Sequence, residues 1–262
     1  MSFLSKQQIC MYLSVVLLFV VQSSMAGDFP LRDRYPDVPY ITLGDLSQQY
    51  ENVQIIDVRS TLEFGVIHIA KAINIPLSNS RFVERLNNNR KANPNQKIIL
   101  YCNGHSCSKS YKATKKALAA NIANVYAFDA GVFDWTQAFP EKASLMGQVP
   151  ADLSKVIPKA DFTAVLRDYD SLYALSQNKH VLVVDTRDKS QREYTPPFPN
   201  VQHIPLSLLR MKLFQGEFKN TPLIFIDSVG KQVRWLQYYL EQFSYKNYLF
   251  LKGGVVSVSQ KS

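Results

Sequence analysis

The feature that most limits what this chain can become is that its pattern is written twice. Asp57-Val58-Arg59 returns as Asp185-Thr186-Arg187, 128 positions later. Glu63-Phe64 returns as Glu193-Tyr194, and Ile75-Pro76-Leu77-Ser78 as Ile204-Pro205-Leu206-Ser207. Near the end of each copy, Gly131-Val132 answers Gly254-Val255. Order and spacing hold throughout, so two related units are expected, each of about 110–120 residues. The first is placed at residues 27–140 and the second at 161–262. Residues 141–160 hold Gly147, Pro150 and Pro158 without a sustained apolar period, as a linker does.

Each copy alternates two textures. Short β-rich runs (Gln54–Val58, Lys97–Tyr101 and Asn124–Phe128) sit between helix-like stretches such as Ser108–Ala120. The second copy repeats them at His180–Val184, Leu223–Ile226 and Asn247–Leu251. Near-continuous apolar strands separated by helices predict an α/β fold, a mainly parallel sheet with helices on both faces in each unit. Ligands of such folds gather beyond the carboxyl ends of the strands, where helix N-termini also point. That singles out Tyr101-Cys102 and Ile226-Asp227.

The N-terminus has a different character. Lys6 precedes an almost wholly apolar run from Ile9 to Val21, and Ser24-Met25-Ala26 follows. This is the layout of a secretory signal peptide over residues 1–26. The alternative is an uncleaved membrane anchor. Removing 26 of the 262 residues leaves 236, with charge +8 because Lys6 is the one charge lost from +9. Only Cys102 and Cys107 then remain of three cysteines, in an oxidising compartment expected to be the bacterial periplasm. The positive charge is spread along the chain, and export removes the opportunity to meet nucleic acid, so no nucleic-acid partner is expected.

Cys102-Asn103-Gly104-His105-Ser106-Cys107 leaves an apolar strand and runs through Ser108 and Lys109 into an Ala-, Leu- and Lys-rich stretch. The first amides of a helix lack internal partners, and the helix dipole is positive there. A loop wrapped around the Cys102 sulfur would favour its thiolate, lowering the pKa towards about 3.5–7.5. Gly104 lets the backbone turn where a side chain would obstruct it. No Asp or Glu lies between Cys102 and Phe128, whereas Lys109, Lys112, Lys115 and Lys116 do, so the loop is expected to attract a small anion. A core cysteine belongs within the strand, and Cys102 stands at its carboxyl end before a glycine turn; it reads as a nucleophile. Cys107 reads equally as a passive residue, a disulfide partner, or a thiol that resolves a sulfur-loaded Cys102. His105 reads as a general base or as a polar loop residue. Two thiols and one histidine fall short of the usual zinc spacings, and no metal or organic cofactor is expected.

These residues carry a family resemblance. The segment DVRSTLEFGVIHIAKAINIPLS, the stretch VYAFDAGVFDWTQAFP with Gly131 and Trp135, and YCNGHSCSKSYKATKKAL together resemble a tandem rhodanese, a sulfurtransferase with two α/β domains. The match departs from the family where Ile67 and Lys71 stand in place of frequent glycines. Gly104 follows the cysteine by two residues instead of three, and the loop lacks arginine. The resemblance implies a persulfide on Cys102, formed from thiosulfate or a similar sulfur anion. Substrate would be held by Asn103, Gly104, His105, Ser106, Cys107, Ser108 and Lys109, and a thiol or cyanide would be the acceptor. In FIDSVGKQVRWLQYYL, Asp227 takes the place of the nucleophile, which implies an inactive second copy that walls the site, with Lys231 and Arg234 near the cleft. Asp57, Arg59 and Trp135 are assigned to structure. Two other readings stand beside this one: a sulfur-carrier or dithiol redox module working with a periplasmic protein partner, and a phosphatase or arsenate reductase. The absent loop arginine counts against the last, because guanidinium suits phosphoryl oxygens.

Overall fold

The computed structural model describes residues 29–194 and 196–259. The apolar run 9–21 and the expected cleavage after Ala26 lie outside the described residues. Among those residues no helix is long and apolar enough to cross a membrane.

In chain order the first half has α1 (Leu43–Gln49), β1 (Val53–Asp57), α2 (Thr61–Val66), β2 (Ile67–Ile69), β3 (Ile73–Asn74), α3 (Phe82–Ala92), β4 (Lys97–Tyr101), α4 (Lys109–Ala119), β5 (Val125–Phe128), α5 (Gly131–Ala138) and β6 (Ala143–Leu145). The second half continues with α6 (Lys159–Ala164), β7 (Leu166–Arg167), α7 (Tyr169–Ser176), β8 (Leu182–Asp185), β9 (Val201–His203), α8 (Leu206–Phe214), β10 (Leu223–Ile226), α9 (Val233–Gln242), β11 (Tyr248–Leu251) and α10 (Val256–Ser259). The first sheet runs β3-β1-β4-β5 and the second β7-β11-β10-β8-β9, with every pairing parallel. A parallel bridge from Tyr40 to Ala127 occupies the edge that β7 fills in the second sheet. The fold is the expected α/β pair, each sheet covered on both faces.

Strand alternation sorts the side chains. In β1 and β4, Ile55, Ile99 and Tyr101 point to one face, with Leu46, Val66, Val132 and Trp135 from α1, α2 and α5. Ile56, Ile98 and Leu100 point to the other, with Phe82 and Leu86 of α3 and Ala113 and Ala117 of α4. A strand buried on both faces reads as a continuous apolar run, which is why β4 is legible to the residue.

Three backbone hydrogen bonds recur in both copies. The Val58 amide donates to the Tyr101 carbonyl at 3.1 Å, and Thr186 to Ile226 at 3.0 Å. Ile75 donates to Asp57 at 3.0 Å, and Ile204 to Asp185 at 3.0 Å. Val132 donates to Cys102 at 3.0 Å, and Val255 to Asp227 at 2.9 Å.

One expectation changes. Within 141–160, read as linker, Ala143–Leu145 is a strand paired antiparallel with β2 and buried along its length. Ala151 packs in the same core, so much of the segment belongs to the first half. Gly147, Pro150 and Pro158 all follow this buried strand, which is too short to show a period. The α9 helix is buried on nearly all sides. Val233, Leu236 and Leu240 enter the core of the second half, while Trp235, Tyr238 and Tyr239 enter that of the first. A helix apolar all round is a buried helix. Gly65 of α2 lets it approach, because a Cβ there would stand 2.8 Å from the Tyr239 hydroxyl.

The end of β1 is fixed by an ion pair with no exposure on either side chain. Arg59 donates through Nη2 to Asp57 Oδ2 at 2.6 Å and to the Ile67 carbonyl at 2.5 Å, and through Nε to both Asp57 oxygens at 3.0 Å. Burial would push this guanidinium down, but Asp57 more than offsets it and holds it above the ordinary arginine value. Removing one partner of such a pair leaves a buried charge uncompensated. Arg59→Met is therefore expected to cost about 3–5 kcal/mol. A urea titration followed by tryptophan fluorescence checks this, since both tryptophans of the chain lie in the first half's core. An unchanged midpoint would show that the pair does not hold the fold.

Candidate active site

Cys102 is the first residue beyond β4, and it continues the alternation Ile98, Leu100. Its side chain therefore points to the α3–α4 face, where it is 1% exposed. This corrects the expectation of a sulfur ringed by loop amides. Among the described residues no backbone amide donates to Cys102 Sγ. The nearest polar atoms are the Cys107 carbonyl oxygen at 3.0 Å and Ser110 Oγ at 3.6 Å. Cys102 and Cys107 form a disulfide, with their Cα atoms 6.4 Å apart. Of the three roles left open for Cys107, the structure displays the disulfide partner.

The loop between them is shaped by two close approaches. The Cys107 amide donates to the Gly104 carbonyl at 2.7 Å, closing a turn over His105 and Ser106. Gly104 has φ 146° and Gly131 has φ 72°. A Cβ on Gly131 would lie 2.6 Å from both the Asn103 carbonyl carbon and Gly104 Cα, so only glycine fits beneath the loop.

Each remaining loop residue has a definite place. Asn103 is half-buried, accepting from Arg59 Nη1 at 2.9 Å and donating to Glu63 Oε1 at 2.9 Å. His105 Nε2 lies 2.7 Å from Asp134 Oδ2, and its ring stacks on Phe29 with centroids 4.3 Å apart. Ser106 is exposed, while Cys107 and Ser108 are half-buried. Lys109 opens α4 and lies 3.5 Å from Glu63 Oε2. Lys109 is thus engaged by a carboxylate, and its side chain is still 47% exposed. Asn103, Glu63 and Lys109 gather on the α2 side of the loop, and His105 on the α5 side.

Sequence reasoning misses Glu63 and Asp134 as members of this site. Ser60-x-x-Glu63 is a capping box: Ser60 Oγ accepts the Glu63 amide at 3.3 Å, and Glu63 Oε2 accepts the Ser60 amide at 3.1 Å. That pattern is readable, but the partnership with Asn103, 40 positions away, is not. Burial pushes the Glu63 carboxyl up. Lys109 and Arg59, with the Asn103 amide, more than offset this and hold it below the ordinary carboxylate range.

The same position in the second half is filled differently. Asp227 follows β10 as Cys102 follows β4, and it is 1% exposed. Its Oδ1 accepts the Gly230 amide at 2.5 Å, and its Oδ2 accepts those of Gln232 at 2.7 Å and Val233 at 3.3 Å. The ring of amides expected around the cysteine is therefore present here, closed on a carboxylate. Burial pushes that carboxyl up in spite of the surrounding backbone amides. Gly254 repeats the part of Gly131, since a Cβ there would lie 2.6 Å from Gly230 N and from the Ser228 carbonyl carbon. Lys231 is exposed, and the Arg234 guanidinium lies 5.3 Å from the ring centre of Phe133 on α5. Among the described residues no group of three or more His, Cys, Asp or Glu side chains is gathered to hold a metal.

Residues 42–138 match the family model described as Rhodanese-like domain. Among solved structures, the chain is similar to the BH2092 protein from Bacillus halodurans, at 22% identity over 51% of this chain and 94% of that one, with a TM-score of 0.37. It is also similar to thiosulfate sulfurtransferase from Pseudomonas aeruginosa, at 20% identity and a TM-score of 0.37. That match covers 85% of this chain and 44% of that one, less than half of its length. A rhodanese homologue from the extremely thermophilic bacterium Thermus thermophilus shares 28% identity over 35% of this chain and 98% of its own, with a TM-score of 0.28. No curated protein matches the chain. The stretch that matches this model, residues 42–138, contains Cys102, Cys107 and the loop between them.

Proposed function

We propose that the first half transfers sulfane sulfur through a persulfide on Cys102, and that Cys107 resolves it. The observation that carries this reading is the joining of two sulfurs at the carboxyl end of β4, inside the rhodanese-like stretch. With the disulfide opened, the Cys102 thiolate attacks the outer sulfur of thiosulfate or a similar anion. The donor's S–S bond breaks, sulfite leaves with the electron pair, and Cys102 carries a persulfide. A thiol or cyanide can take the outer sulfur and return Cys102 to the thiolate. Alternatively, the Cys107 thiolate attacks the inner sulfur of the persulfide. The Cys102–Cys107 bond forms and hydrosulfide leaves, which gives the disulfide of the structure as a product of turnover. Neither route calls on a metal or an organic cofactor.

Residues 103–109 line the path of the donor in this reading. Lys109 supplies exposed positive charge beside it, and in this reading His105, whose Nε2 lies 2.7 Å from Asp134 Oδ2, exchanges protons. The second half takes no part in the chemistry, because the carboxylate of Asp227 cannot carry sulfur; it contributes α9 as a wall. The chain works after export to the bacterial periplasm or while held there by its N-terminal segment, an oxidising compartment in which the disulfide must be opened before sulfur is loaded. The disulfide equally favours a second reading, a dithiol module that exchanges electrons or carries sulfur to a protein partner.

Intact mass after reduction and exposure to thiosulfate separates the readings. Wild-type protein is expected to gain one sulfur atom transiently and release sulfide. Cys107→Ser is expected to keep the added sulfur, and Cys102→Ser to gain none. Addition of sulfur to Cys102→Ser would overturn the assignment, and no addition to wild type would leave the dithiol reading in its place. A second expectation concerns the glycines at positive φ, where a side chain costs on the order of 1–3 kcal/mol. Gly131→Ala should slow sulfur loading about tenfold or more by displacing the loop. Gly254→Ala, under the second loop, should leave that rate unchanged. Equal effects of the two would show that loop shape does not govern loading.

A further inference from the structure

We infer that the disulfide is reopened by a dithiol attacking Cys107, and that Cys102 departs as the thiolate. Attack on a disulfide proceeds in line with the bond, so the sulfur that an outside nucleophile can reach is decided by access. The two cysteines differ in burial. Cys102 is 1% exposed and lies among Leu100, Ile75, Phe82 and Ala113 on the closed face of the sheet. A nucleophile reaching it opposite Cys107 would have to come from within that cluster. Cys107 packs against the edge of the same cluster, but it is half-buried instead of enclosed and stands beside exposed Ser106 on the loop. Approach along this side places Cys102 Sγ in the leaving position.

The surroundings of Cys102 suit departure. Ser110 Oγ, buried on the first turn of α4, lies 3.6 Å from its sulfur, and its hydroxyl can donate to a thiolate there. The N-terminal end of this 11-residue helix adds a favourable field. The bonds balance in two exchanges. The dithiol's first thiolate joins Cys107 as the Cys102–Cys107 bond breaks. Its second thiolate then joins the first sulfur as that sulfur's bond to Cys107 breaks, releasing Cys107 as a thiolate, and both cysteines take up protons from water. The reductant is oxidised to a disulfide and the protein regains two thiols. The inference rests on the reading of Cys102 as the sulfur-bearing thiol. It also places a dithiol reduction after every release of sulfide, because each release closes the disulfide again.

The test needs no sulfur donor, so its failure and that of the sulfur-transfer reading are told apart. Oxidised full-length protein is exposed briefly to 2-mercaptoethanol, or to a thioredoxin whose second active-site cysteine is replaced by serine. It is then quenched in acid, alkylated and digested. The expected product carries the mixed disulfide on Cys107 and the alkyl group on Cys102, in excess of about tenfold over the reverse arrangement, the ratio that about 1.4 kcal/mol in barrier gives. Trapping of the thioredoxin as well as the small thiol points to a protein-borne dithiol, and trapping of the small thiol alone points to a small one; both support the inference. A mixed disulfide mainly on Cys102, or shared equally between the two, would overturn it.

Discussion

The cysteine loop depends on a guanidinium that meets no water. Arg59 is held to Asp57 by three contacts, to the start of β2 by the Ile67 carbonyl, and to the loop by Asn103. One cation thus ties the end of the central strand, the antiparallel ribbon and the turn after Cys102 into a single unit. A buried charge of this kind persists only where every donor finds an acceptor, which makes the geometry stiff as well as costly to disturb. The arrangement recurs at Asp185 and Arg187, whose Nη1 reaches the carbonyls of Gln191 and Tyr194. What differs between the halves is the reach of the arginine: in the first it extends to the cysteine loop, and in the second it serves its own neighbouring turn.

The two loops after β4 and β10 can be compared as one scaffold in two chemical states. Both are pinned from below by a glycine at positive φ and by an amide donating to the first loop residue's carbonyl. With a carboxylate at that first residue, the following amides converge upon it. With a thiol joined to Cys107, the loop instead closes through sulfur, and the amide of Cys107 turns to Gly104. In the second loop the backbone converges on an anion, whereas the first, with its two sulfurs joined, bears no charge at this side chain. In the proposed cycle the persulfide would supply such a charge at Cys102.

The sequence discloses the parts whose causes are local. The strands β4 and β10 fall to the residue where the pattern puts them, because burial on both faces leaves an unbroken apolar run. The α4 helix differs by one residue at each end, and the copying of Asp-x-Arg, Ile-Pro-Leu-Ser and Gly-Val reveals the duplication. What stays hidden depends on distant partners. Ala143-Ser144-Leu145 has no neighbour in sequence to reveal that it pairs with β2. Asp134 becomes the partner of His105 only after α5 folds back beneath the loop. The Cys102–Cys107 bond is one option among three in the sequence, since the distance between the two depends on how tightly the chain turns at Gly104. The double role of α9 is written in its residues, Val233, Leu236 and Leu240 on one side against Trp235, Tyr238 and Tyr239 on the other, yet it reads as a two-faced helix only when both cores are in view.

That shared helix has a bearing on where the chain can be divided. The stretch that carries the family pattern stops at residue 138, but its core is completed by β6 and by three aromatic side chains from nearly a hundred positions further on. A fragment trimmed to the pattern would expose the seat of Trp235 against Phe133 and the groove over Gly65. Recognisable ancestry and self-sufficient folding therefore have different boundaries here, and the tract without the cysteines is part of what makes the tract with them a stable body.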